Sequence, residues 1–161
     1  MSMEFSRAMD TGHDMNAVAN FVKNFADTAF STPLKTFDHH FRRICVDERD
    51  HQRIITISDL HTPIVPGVSP DTVTITVRRI NDQLECHISM QSTSVVHGVR
   101  KSFHDVLLSI VYHTIDDECR VDGTPFSSQY LLPFAQNLLD AVRVKAESQY
   151  VMDQDDIRQT V

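Results

Sequence analysis

Residues 72–91 read TVTITVRRINDQLECHISMQ, and their alternation decides what kind of fold the chain adopts. Asn81-Asp82 suits the centre of a tight turn, since both residue types tolerate positive φ better than most. With that turn, opposite residues have numbers summing to 163. Val73 then faces Met90, Ile75 faces Ile88 and Val77 faces Cys86, so one side is apolar throughout. On the other side Thr72 meets Gln91, Thr74 meets Ser89, Thr76 meets His87 and Arg78 meets Glu85. A slip of one residue would mix the two faces, so the register is specified by the side chains themselves. Such a hairpin needs apolar cover on one side only.

Upstream, Met15, Val18, Val22, Phe25 and Ala29 recur at three-four spacing, with Phe21 and Ala26 widening the stripe. This predicts an amphipathic helix over 14–31. Thr11 or Asp14 is placed to cap it, and Ser31-Thr32-Pro33 ends it. The runs 36–46 and 53–60 are strand-like, and the acidic stretch 47–50 suits the connection between them. Three prolines and Gly67 make 61–71 a loop.

Downstream, Ser102 and Asp105 read as a capping pair ahead of a helical stripe of Phe103, Val106, Leu107, Ile110 and Val111. A helix is expected over 103–115, with a buried strand as the alternative. Ile110 and Val111 are β-branched, and Asp116-Asp117-Glu118 opposes a helix dipole there. Asp122-Gly123 marks a turn beside a short strand at 118–121. Pro133 suits a first helical turn, and Phe134, Ala135, Leu138, Leu139, Val142 and Ala146 carry the stripe to about residue 149. The expected fold is therefore α+β: an N-terminal helix, a four-stranded mainly antiparallel sheet, then two C-terminal helices packed on one face. One domain over 1–161 is expected, with 1–13 as an N-terminal arm and 150–161 as an acidic C-terminal tail.

The chain has 161 residues, enough for one core, and carries a formal charge of −7 from 22 acidic and 15 basic side chains. That balance disfavours a general polyanion binder. No apolar run reaches membrane-span length, and MSMEFSRAMD has no basic stretch followed by an apolar core, so neither a span nor a secretory signal is expected. Three cysteines without paired spacing point to reduced thiols. A cytoplasmic location is expected, or a virion or host cytoplasm for a phage-encoded chain.

Chemistry-bearing patterns are sparse. His39 and His40 point to opposite faces of a strand, so both cannot ligate one ion, and no paired Cys/His spacing is present. No metal site is expected. His104-Asp105 resembles a phosphohydrolase dyad, but His104 and His113 fall half a turn apart on one helix. His87-Ile88-Ser89 fits an H-x-S pattern used by two-histidine phosphoesterases, although the second such motif is missing. A small hydrolase using His87, Ser89 and a histidine from 39–61 is the enzymatic alternative. The dibasic pairs Arg42-Arg43, Arg78-Arg79 and Arg100-Lys101 split between strand faces, so a nucleic-acid accessory role ranks third. Four glycines form no phosphate-cradling loop, and no cofactor is expected.

Small acidic α+β chains of this outline include bacterial secretion chaperones and small subunits of phage particles, a likeness of size and class. The expected function is a non-catalytic protein-binding or assembly protein. It would act as a homodimer, a structural subunit or a chaperone-like adaptor of a larger bacterial or phage complex. Phe21, Phe25, Arg78, Glu85 and Asp117 are the candidate contact residues.

Overall fold

The hairpin of 72–91 forms in the expected register, from Thr72↔Gln91 to Ile80↔Gln83, and Asn81 takes a φ of 50° at its turn. In the computed structural model, which describes residues 14–33, 35–39, 42–60, 64 and 70–160, this hairpin is the middle of a larger sheet. Helix α1 (Met15–Ser31) leads in. The strands are β1 (Lys35–His39), β2 (Arg42–Arg49), β3 (Gln52–Ser58), β4 (Thr72–Ile80), β5 (Gln83–Val96), β6 (Val99–His113) and β7 (Glu118–Asp122). Helix α2 (Pro125–Thr160) follows them. All seven strands lie in chain order, each antiparallel to its neighbour.

The α+β class stands, but the expected element count does not: among the described residues four strands become seven, and two C-terminal helices become one. The run 36–46 divides between β1 and β2, and the acidic connection shrinks to the turn Asp50-His51, where both residues have positive φ. The largest correction is at 103–115, which is strand. Leu108, Ile110 and Tyr112 alternate into the core, while Leu107 is the extra residue of a bulge between the rungs Ile88↔Leu108 and Ser89↔Val106. That one-residue insertion flips the parity of a period-two pattern, and the resulting spacing imitates a helical stripe. Ser102 and Asp105 are accordingly exposed strand residues and cap nothing.

Helix α2 starts eight residues before Pro133. Thr124 caps it, accepting from Ser127 N at 3.0 Å, and Pro125 takes the first helical position, where a missing N–H costs nothing. Pro133 lies inside the helix, and the helix runs through residues expected to be a tail. The arm 1–13, most of the loop 61–71 and Val161 lie outside the described residues.

Both helices cover one side of the sheet. From α1, Val18, Val22, Phe25, Ala26 and Ala29 are buried; from α2, Leu131, Ala135, Leu138, Leu139 and Val142. They meet Ile44, Ile55, Ile57, Val73, Ile75, Val77, Cys86, Ile88, Leu108 and Ile110 in one apolar cluster. Asp14 caps α1 through Ala17 N at 3.3 Å. At its other end Arg53, on the covered face of β3, donates to Thr32 O at 2.7 Å and Phe30 O at 3.4 Å, neutralising carbonyls that a helix terminus leaves without partners. Glu48, one strand over, lies 3.5 Å from the same guanidinium.

Candidate functional site

The uncovered side of the sheet is a polar carpet, with Thr56, Thr72, Thr74, Thr76 and Ser89 half-buried along adjoining strands. Its most organised part spans β4 to β6. Ser109 Oγ and His87 Nδ1 are hydrogen-bonded at 2.7 Å, and His87 Nε2 lies 3.7 Å from Glu85. Glu85 also accepts from Gln83 Nε2 at 2.6 Å and pairs with Arg78 at 3.5 Å. Hydroxyl, imidazole and carboxylate thus stand in the order of a nucleophilic relay. The relay sits on interior strands whose N–H groups run within the sheet plane into their neighbours. Among the described residues, the strand amides flanking Ser109 therefore do not converge above its hydroxyl to hold an oxyanion. The cross-strand partner Ser109 was invisible in a sequence reading that made 103–115 a helix.

The other residues of the hydrolase alternative are not gathered here. Ser89 shares the face and strand of His87, two residues along. His39 belongs to β1, four strand spacings or about 19 Å from β5. The side chain of His39, and both His40 and His61, lie outside the described residues. Among the described residues, no three His, Cys, Asp or Glu side chains form a group able to hold a metal ion.

Of the candidate contact residues, Phe25 is fully buried, and Phe21 stacks on it with ring centroids 5.4 Å apart, so both serve the core. Both belong to the apolar stripe of α1, and the sheet covers that stripe. Arg78 and Glu85 pair with one another across β4 and β5 at 3.5 Å. Asp117 accepts a hydrogen bond from the Tyr112 hydroxyl, which raises the pKa of that phenol. The dibasic pairs divide as strand geometry requires. Arg78 lies on the polar face, whereas Arg79 reaches Asp27 of α1 at 3.2 Å and lies 4.6 Å from the Phe30 ring centroid.

Exposed apolar surface concentrates elsewhere. β5 leaves β4 after Gln91, and β6 meets β7 only from Ser109 onward, so residues 92–106 project as a two-stranded hairpin. It reaches five residues past the last β4 rung, about 17 Å. His97-Gly98 forms its tip, with φ values of 52° and 78° that match a two-residue hairpin turn. Four of the seven large apolar side chains exposed among the described residues are on it: Val95 at 71%, Val106 at 61%, Val99 at 57% and Phe103 at 43%. Val96, Val99 and Phe103 continue the covered face beyond Met90, but neither helix supplies a described buried residue against them. Val95 and Val106 lie on the opposite face. Arg100 and Lys101 make the projection cationic on a chain of charge −7. The helix expected over 103–115 takes in Phe103 and Val106, an assignment that conceals a projecting hairpin.

No helix among the described residues is long and apolar enough to cross a membrane. Comparison with known families, curated proteins and solved structures returns no match to this chain.

Proposed function

We propose that this chain is a non-catalytic assembly protein that acts by associating with other copies of itself, and that the β5–β6 projection is its contact surface. The observation that carries the reading is the group Val95, Val99, Phe103 and Val106, all exposed on a hairpin that projects past the last β4 and β7 rungs among the described residues. Apolar surface held away from its own core favours burial against another chain, and open strand edges recruit further strands. The polar face of the main sheet, by contrast, pairs Arg78 with Glu85 and Ser109 with His87.

Light scattering on the full chain tests this. The wild type is expected at a multiple of 18.4 kDa, and the variant Val95→Thr/Val99→Thr/Phe103→Thr/Val106→Thr at the mass of one chain. Circular dichroism should show unchanged helix and strand content, because none of the four side chains is buried. Equal masses for the two proteins would overturn the reading.

A further inference from the structure

We infer that two copies pair edge to edge through β6, antiparallel and in a single register, with Phe103 on the two-fold axis. The inference rests on the assembly reading above and names its partner strand. Among the described residues β7 pairs with the β6 edge only at Ser109–His113 and Gly123 lies against Leu107 and Leu108, so no described strand pairs with that edge from Val99 to Val106. The turn at His97-Gly98 makes Val96↔Val99 the closing hydrogen-bonded pair. Backbone groups of Val99, Lys101, Phe103 and Asp105 therefore point toward β5. Those of Arg100, Ser102, His104 and Val106 point outward, free to bond another strand.

Two copies of one strand, related by a two-fold axis perpendicular to the sheet, pair residues whose numbers have an even sum, since opposite residues share a face. At a sum of 206, Phe103 meets its own copy, and Lys101 meets Asp105 on both sides of it. Arg100 then faces Val106, and Ser102 faces His104. Phe103 falls at a non-hydrogen-bonded rung, where side chains approach most closely. Sliding by one step in either direction destroys this match. At 204, Lys101 faces Phe103 and Val99 faces Asp105; at 208, Phe103 faces Asp105 and His104 faces itself. At 202, Lys101 faces Lys101. A lysine alone on an open edge discourages pairing, but a lysine and an aspartate flanking an aromatic residue discourage every register except the one that matches them. The length also fits: Arg100 of the second copy falls opposite Val106, and Gly123 and then β7 take over the edge beyond it. The bulge at Leu107 marks where the ladder between copies ends.

The test is charge reversal and register-specific cross-linking in the full chain. Lys101→Glu and Asp105→Lys should each raise the dimer dissociation constant, measured by sedimentation, about tenfold or more. The double variant should return it to within about threefold of wild type. In a Cys45→Ser background, Phe103→Cys should form a disulfide-linked dimer under mild oxidation, whereas Arg100→Cys, which faces Val106, should not. A double variant no tighter than either single, or cross-linking from Arg100→Cys but not Phe103→Cys, overturns the register. If association is abolished by the four threonine substitutions yet indifferent to charge reversal and to cysteine position, edge pairing falls and the assembly reading stands. If association is indifferent to all of them, both fall.

Discussion

Arg53→Met probes a buried charged group that ties the sheet to a helix end. The arginine is 8% exposed, and methionine keeps most of its stem while removing the guanidinium. Lost with it are a strong hydrogen bond to Thr32 O at 2.7 Å and a weak one to Phe30 O at 3.4 Å. A hydrogen bond from a charged donor is worth about 1.5–3 kcal/mol, and a buried carbonyl left unpaired adds to the loss. Against this, burying the guanidinium is itself costly, and its Nε has no partner. The first effect is larger, because helix-end carbonyls are good acceptors and Glu48 lies 3.5 Å away as counter-charge. The expected net loss is about 2 kcal/mol, which lowers Tm by about 4–8 °C for a chain of this size. Thermal unfolding followed by circular dichroism reads the loss. Faster amide exchange confined to the last turn of α1 would locate it. Arg53→Lys, a point charge with no fork, should fall between. A methionine variant as stable as wild type would show that desolvation cancels the clamp, and the account of how α1 is held would be wrong.

Burial pushes the Cys86 thiol up to about 12, and burial with the nearby Asp117 carboxylate pushes Cys119 up to about 11. Both are therefore protonated in the folded chain at pH 10, whereas an unfolded cysteine is ionised there. Stability is fully present below pH 9 and falls as pH rises. Cys86 alone accounts for a loss on the order of 1 kcal/mol between pH 8 and 10; urea unfolding of wild type and Cys86→Ala at the two pH values checks the slope. Gly123 and Gly98 both have positive φ, but they should differ under substitution. A Cβ at Gly123 meets Leu108 Cδ1 at 2.9 Å and Leu107 O at 3.0 Å, while one at Gly98 meets nothing within 4 Å. Gly123→Ala should cost about 2–4 kcal/mol and Gly98→Ala about 1–2 kcal/mol, and equal losses in urea would contradict the packing at the β6 bulge.

Local chemistry was legible wherever it acted between near neighbours. The α1 stripe and its Asp14 cap follow from spacing and from one carboxylate. The register of 72–91 follows from seven cross-strand pairs that must segregate by polarity. What misled was pattern without parity. The Leu107 bulge turned alternation into apparent helical spacing, and Pro133 looked like a first turn when Thr124-Pro125 already supplied cap and start. The Ser109–His87 hydrogen bond joins residues 22 apart, and it was out of reach once β6 had been read as a helix.

By its sequence alone the chain determined an antiparallel hairpin with one apolar face and an amphipathic helix made to cover it, because both depend on side-chain periodicity within a few residues. Only the tertiary structure decided that the sheet has seven strands, that Phe25 faces inward, and that Val95, Val99, Phe103 and Val106 are left outside. Those outcomes depend on where each strand loses its neighbours. That is set by the differing lengths of β4, β5, β6 and β7, which no periodicity within one segment records.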